Sequence, residues 1–171
     1  MQKFTYPFLI AGTLVMIYIM MKTGAPLTTP ATPMGAINLE LAYDKPHTDT
    51  VLTAWASDPI HNAAETNTLW DFVFLFFYST FLYMSCKKLS NKFIVHSWKY
   101  NAGRFFARTA IIAGLLDIGE NIGMLVSLKG KGGPAVSLIT ASCSAIKWSL
   151  VILVLLYVII ALVSKRQTAR A

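Results

Sequence analysis

The sequence has few charged residues for its length. Only 13% of the 171 residues are Asp, Glu, Lys or Arg, whereas 55% are hydrophobic, and the mean hydropathy is +0.54. A soluble domain of this size does not bury so large an apolar fraction. The composition therefore excludes an ordinary soluble domain and indicates a protein that is solvated by a lipid bilayer.

The sequence also lacks the short motifs of several enzyme classes. It contains no Walker A motif, no nucleophile elbow and no HExxH sequence, so nothing in it supports ATP-driven transport, serine hydrolysis or zinc proteolysis. The two cysteines, Cys86 and Cys143, do not form a Cys-x-x-Cys pair, which excludes a quinone-linked disulfide-forming protein. The histidines match no zinc motif, and we predict neither a bound metal nor a cofactor.

Four hydrophobic segments are long enough to cross a bilayer, which takes about 20 largely apolar residues. They comprise residues 4–21, 66–86, 109–128 and 141–163. The sequence therefore predicts an all-α, polytopic integral membrane protein, with residues 1–171 forming a single four-transmembrane-helix bundle. The first segment has the length of an anchor rather than that of a cleaved signal peptide. The Asp58-Pro59 pair resembles a helix start, so the second helix is predicted to begin there.

The distribution of basic residues predicts the orientation. If the N-terminus is cytoplasmic, ten basic residues lie on the cytoplasmic side and four on the other side. The ten are Lys3, Lys87, Lys88, Lys92, Lys99, Arg104, Arg108, Lys165, Arg166 and Arg170. The loop of residues 22–65 is then extracytoplasmic, the basic loop of residues 87–108 and both termini are cytoplasmic, and the protein is placed in the inner or plasma membrane. Positive-inside anchoring explains the basic loop, and we predict no nucleic-acid binding.

Four ionisable residues lie within the predicted transmembrane helices, where each costs about 2.5 to 3.5 kcal/mol to insert. They are Asp71, Asp117, Glu120 and Lys147. Helical periodicity places Asp117, Glu120 and Asn121 on one face, and their depths place all four ionisable groups in the outer half of the bilayer. The sequence predicts a polar pocket there, walled by the last three helices and covered by the first loop. Its predicted binding residues are Asp71, Tyr78, Asp117, Glu120, Asn121 and Lys147.

Two interpretations of this polar cluster stay open at the level of sequence. In the structural one, Lys147 pairs with Glu120 or Asp117 only to let the helices insert in register. In the functional one, the acids outnumber the lysine, which leaves a carboxyl group to transfer a proton or to bind a cationic or hydroxylated ligand. Glu40 is a further candidate to reach the pocket, although the expectation for it is an exposed loop acid.

Three functions fit these observations, and the sequence does not decide whether the protein is an enzyme. The first is a non-enzymatic protein whose pocket binds or passes a lipid or small amphiphile. The second is an intramembrane enzyme that acts on a lipid or isoprenoid, with Asp117 or Glu120 as general acid or base. The third is an accessory subunit that docks a complex partner or a second copy through Gly119 and Gly123. We favour the first, because a binding pocket needs only the residues already identified.

The arrangement of four helices, a long outer loop and intramembrane acids resembles the architecture shared by the sigma-2 receptor and the sterol isomerases of the emopamil-binding type. The resemblance covers the layout alone, and it assigns no role to any residue of this sequence.

Overall fold

The computed structural model describes residues 2–165, which are predominantly helical and contain no β-strand. The four long helices are α1 (Gln2–Gly24), α4 (Asp58–Ser90), α5 (Trp98–Leu128) and α6 (Pro134–Val163). Each of them is long and apolar enough to cross a bilayer. Two short helices, α2 (Ala36–Glu40) and α3 (Lys45–Ala54), lie between α1 and α4. The predicted all-helical chain with four candidate membrane-spanning helices is confirmed.

The long helices extend beyond the hydrophobic segments that predict them. Helix α4 begins at Asp58, eight residues before the segment 66–86, and its N-cap is Ser57. Helix α6 likewise begins at Pro134, seven residues before residue 141, and a proline stands in the first turn of both helices. The helical parts of the predicted loop 87–108 leave only residues 91–97 as a connection. The extension of α4 is polar and so escapes hydropathy, whereas residues 134–140 of α6 are largely apolar and exceed the length that a bilayer span needs.

Helix α5 packs against both α4 and α6, while α1 packs mainly against α4. Small residues on α5 permit this close approach. A Cβ atom on Gly114 would lie 2.9 Å from Ser79 Cβ of α4, and one on Gly103 would lie 2.1 Å from Tyr157 Oη of α6. Close packing through small residues is typical of helices in membranes.

Gly119 and Gly123 face α6 of the same chain. A Cβ atom on Gly123 would lie 2.0 Å from Thr140 Oγ1, and one on Gly119 would lie 3.5 Å from Cys143 Sγ. This face therefore forms a helix contact within the chain. Its use by a second copy or by a complex partner stays a prediction.

Replacement of Gly103 by alanine is expected to destabilise the bundle by about 1–3 kcal/mol, the usual cost of overpacking. The added methyl group would lie 2.6 Å from Ser90 Cβ as well as against the Tyr157 hydroxyl, so α4 or α6 must shift. The matched change Gly119→Ala meets nothing closer than 3.5 Å, and it should be neutral or stabilising because alanine favours the helix. Thermal unfolding in detergent compares the two variants, and equal midpoints would contradict this packing.

The two ends of the bundle differ in charge. The N-terminus of α1 and the C-terminus of α4 lie at one end, where Tyr6 Oη contacts Ser85 Oγ at 3.1 Å. The sequence contains no acidic residue between Asp71 and Asp117 or after Glu120. The basic residues that gather at this end therefore have no acidic residue close to them in sequence. We call it the basic end. Arg166 and Arg170, which contribute to the predicted charge bias, lie outside the described residues.

Residues 25–57 fold over the opposite end of the bundle and form a segment that we call the cap. Its anchor is Trp55, which is 0% exposed and whose Nε1 donates hydrogen bonds to the Leu27 carbonyl and to Thr32 Oγ1, both at 3.1 Å. Thr48 Oγ1 lies 2.8 Å from Ser137 Oγ of α6 and joins the cap to the bundle. Asp44 caps α3, and the backbone N–H of His47 that it accepts lowers the pKa of its carboxyl group.

Candidate functional site

Lys147 of α6 lies in a buried cluster of acidic side chains. Its Nζ is 2.9 Å from Asp117 Oδ1 and 2.8 Å from Glu120 Oε1. The two acids lie three residues apart on α5 and therefore on the same face, so one ammonium group reaches both. Exposure is 5% for Lys147, 2% for Asp117 and 0% for Glu120, so these ion pairs are almost completely removed from solvent.

Tyr78 of α4 holds the second oxygen of Asp117. Its hydroxyl donates to Asp117 Oδ2 at 2.7 Å, so both oxygens of this carboxyl group have partners. In contrast, Glu120 Oε2 is buried and has no hydrogen-bond partner among the residues that the structure describes. Asp117 is thus fixed from two helices, whereas Glu120 is held by Lys147.

Glu40 enters the cluster from α2 of the cap. Its Oε2 accepts hydrogen bonds from Trp148 Nε1 at 3.1 Å and from Ser144 Oγ at 3.4 Å, and it lies 3.8 Å from Lys147 Nζ. Glu40 is only 8% exposed, so the expectation of an exposed loop acid was wrong. The available signal was its immediate sequence, in which two leucines flank the acid. Leu39 is buried together with Glu40, whereas Leu41, which follows the helix, is 39% exposed.

Three carboxyl groups therefore share one ammonium group. Burial of this set of charges in a low dielectric costs free energy. The three carboxyl groups differ in their other partners, because Asp117 also accepts a hydrogen bond from Tyr78 of α4 and Glu40 also accepts one from Trp148 of α6. Within residues 2–165 no three His, Cys, Asp or Glu side chains are grouped so as to hold a metal ion. The cluster connects α2, α4, α5 and α6.

A cavity of about 370 Å³ adjoins the cluster. All four long helices contribute to its wall, and α2 adds Ala36 and Glu40 on the cap side. The half nearer the cap contains most of its polar lining, namely Glu40, Asn67, Thr68, Asp71, Asp117, Asn121 and Lys147. Further towards the basic end the wall contains Phe81, Leu82 and Leu155. The cavity is therefore amphipathic along its length.

Asp71 differs from the other acids of the site. It lines the cavity, is 9% exposed, and forms no ion pair within the described part of the chain. The side chain of Asn121, on α5, is its neighbour. Asp71 is consequently the carboxyl group that faces the cavity without a lysine partner.

The structure brings the six predicted binding residues together. Asp71, Tyr78, Asp117, Asn121 and Lys147 line the cavity, whereas Glu120 belongs to the Lys147 cluster and does not line it. Sequence reasoning missed the contribution of α1. The lining residues from that helix are Thr13, Ile17 and Met20. Between Lys3 and Lys22, helix α1 contains no Asp, Glu, Lys or Arg, so no charged residue marked this wall.

Asn67, about one helical turn before Asp71 on α4, also fixes α1. Its Nδ2 donates to Thr23 Oγ1 at 2.7 Å and to the Met20 carbonyl at 3.1 Å. These bonds hold α1 near the cap end of α4 and so set the width of the cavity at its polar half.

Fold and site together define an all-helical bundle with four membrane-length helices, a capping segment and an amphipathic cavity beside a buried lysine–carboxylate cluster. Comparison with protein-family models, with curated proteins and with solved structures finds no match to this chain.

Proposed function

We propose that this integral membrane protein binds a lipid or small amphiphile in the cavity between its four long helices. The observation that carries the proposal is the cavity itself. Its volume of about 370 Å³ falls within the range of small-molecule pockets, about 300–1,000 Å³, and such pockets combine an apolar lining with a few polar groups. An amphiphile matches this wall when its polar head lies near Asp71 and its apolar body lies towards Leu155.

The chemistry of the head group follows from the acids. A carboxyl group that faces a cavity without a cationic partner favours a ligand that donates a hydrogen bond, because hydrogen bonds to charged groups contribute about 1.5–3 kcal/mol. Asp71 is such a group, and the nearby lysine is already shared by Asp117, Glu120 and Glu40. The proposed ligand therefore carries a hydroxyl or a protonated amine, and an anionic head is disfavoured.

A route from the bilayer supports the same proposal. Helix α1 packs mainly on α4 and has no extensive interface with α6, although Ile17 of α1 and Leu155 of α6 both line the cavity. We place the entrance for an amphiphile at this seam. The lining on both sides is apolar, as a path for a hydrocarbon chain requires.

For the orientation, we propose that the basic end faces the cytoplasm and that the cap is extracytoplasmic, in the inner or plasma membrane. The support is the positive-inside rule applied to the basic residues, which outnumber those of the cap end. In this orientation the polar half of the cavity lies towards the outer leaflet.

Asp71 also supports a second candidate function, an intramembrane acid–base enzyme that acts on a lipid or isoprenoid. Such a reaction needs a carboxyl group with access to the substrate. Asp117 is held by Lys147 and Tyr78, and Glu120 does not line the cavity, whereas Asp71 faces it. In this alternative the catalytic group is Asp71 rather than the predicted Asp117 or Glu120.

Native mass spectrometry of the purified protein tests the binding proposal. The unaltered protein is expected to retain a lipid-like species, and Ile17→Trp, which fills the cavity from α1, is expected to lose it. Val15→Trp is the matched control, because Val15 is exposed on the same helix and does not line the cavity. Absence of any retained amphiphile from the unaltered protein, or equal retention by both variants, would refute the proposal.

Replacement of Asp71 by asparagine is expected to weaken binding of dodecylamine by about tenfold or more, since a hydrogen bond to a charged group contributes about 1.5–3 kcal/mol. Titration of the detergent-solubilised protein with dodecylamine, dodecanol and dodecanoate measures this effect at constant chain length. Dodecanoate should bind most weakly to the unaltered protein. Tighter binding of dodecanoate than of dodecylamine would contradict the assigned head group, and chemical turnover of a lipid that Asp71→Asn abolishes would favour the enzyme.

A further inference from the structure

A second cavity lies at the basic end, away from the site described above. It is a groove of about 160 Å³ between the first turns of α5 and the last turns of α6. Its apolar walls include Trp98, Ala102 and Phe106 of α5 and Leu153, Leu156 and Ile160 of α6. The three α6 residues are exposed on the outer surface of the bundle. We call this feature the basic-end groove.

Two lysines lie at one end of the groove, beside the last turn of α6. Lys99 lines it, and its Nζ lies 3.4 Å from Ser164 Oγ. Lys92 Nζ donates to the carbonyls of Ala161 and Leu162 at 3.0 and 3.3 Å. Neither ammonium group has a carboxylate partner in the part of the chain that the structure describes. The charge that would complement this end is therefore an anion from outside the chain.

We infer that the basic-end groove binds an anionic phospholipid of the surrounding bilayer. The phosphate lies against Lys92 and Lys99, and one acyl chain runs along the groove past Trp98 and Leu156. From residue 160 to residue 153 the wall of α6 is about 10 Å long, which fits within the roughly 15 Å of hydrocarbon in one leaflet. Trp98, 71% exposed, stands where interfacial aromatic residues meet lipid head groups.

This inference is independent of the ligand proposed for the larger cavity and depends only on the four long helices crossing a bilayer. A cytoplasmic basic end would face the leaflet that carries anionic lipids. Charge alone would attract such lipids diffusely around the whole end. The groove adds a contact for the acyl chain and so confines one lipid to one place.

Native mass spectrometry with equal amounts of phosphatidylglycerol and phosphatidylcholine tests the inference. The unaltered protein is expected to retain phosphatidylglycerol preferentially, and Lys99→Gln should lower this preference about fivefold, the effect of one lysine near an anionic surface. Lys129→Gln removes the same charge at the cap end and should have no effect. Equal retention of both lipids, or an equal loss in both variants, would overturn the inference.

A second pair of variants tests the groove rather than its charge. Ala102→Trp fills the groove without changing any charge, and it should abolish preferential retention of phosphatidylglycerol. Ala145→Trp is the control, because Ala145 is exposed on α6 outside the groove. Ile17→Trp, which blocks the larger cavity, should leave this lipid bound. Retention of phosphatidylglycerol by Ala102→Trp at the level of the unaltered protein would assign the binding to charge alone and refute the groove.

Discussion

Replacement of Lys147 by methionine is expected to destabilise the protein by about 3–5 kcal/mol, the cost of removing one partner from a buried ion pair. Methionine preserves the length of the side chain and removes the ammonium group. Asp117 and Glu120, which are 2% and 0% exposed, would then be buried without a cation. Unfolding of the variant in detergent, followed by heat or by denaturant, measures the loss.

Two further variants show whether unpaired buried charge causes the destabilisation of Lys147→Met. Lys129→Met removes an exposed lysine that pairs with no acid in the described chain, so its effect should stay within about 0.5 kcal/mol. The combination of Lys147→Met with Asp117→Asn and Glu120→Gln removes the cation together with its two closest acids and should recover much of the stability. If Lys147→Met unfolds at no lower temperature or denaturant concentration than Lys129→Met, the observed ion pairs would be contradicted.

The combined variant also separates the two interpretations of the cluster. If it folds and retains the same amphiphile as the unaltered protein, the lysine and its acids serve to fix the register of α5 and α6. If it folds but loses the amphiphile, the cluster contributes to the binding site. Because Asp71 is unchanged in this protein, the comparison isolates the cluster from the carboxyl group that faces the cavity.

The convergence of the polar residues could be predicted because the bilayer leaves them few alternatives. An ionisable group within an apolar helix must turn towards other helices, and helical periodicity then gives its face. Asp117, Glu120 and Lys147 obey this rule and meet in the structure. Their pairing as a triad, with one ammonium group between two acids, follows from the rotation of α5 against α6, which the sequence does not specify.

The parts of the site that escaped prediction depend on long-range paths of the chain. Glu40 and Lys147 are separated by more than a hundred residues, and their contact requires the cap to fold back over the bundle. The wall formed by α1 depends in turn on the side of α4 against which α1 packs. Hydropathy identified α1 as a helix, but a uniformly apolar surface does not indicate which side faces a cavity.

Replacement of Trp55 by alanine is expected to cost about 3–5 kcal/mol and to loosen the cap, because a large aromatic side chain leaves a cavity when it is truncated. Trp55 is fully buried, and both Leu27 and Thr32 would lose its hydrogen bond. Trp98→Ala removes a tryptophan that is 71% exposed and should change stability far less. Thermal unfolding and the rate of chymotryptic cleavage within the cap measure the two effects.

Trp55→Ala also tests the connection between the cap and the cavity. Glu40 lies on α2 within the cap, and its bond to Trp148 holds the cap over the polar half of the cavity. A loosened cap should therefore release the amphiphile as well as expose cleavage sites, whereas Trp98→Ala should retain it. If Trp55→Ala is cleaved rapidly but still binds dodecylamine like the unaltered protein, Glu40 fastens the cap without contributing to the ligand site, and Asp71 alone determines the choice of head group.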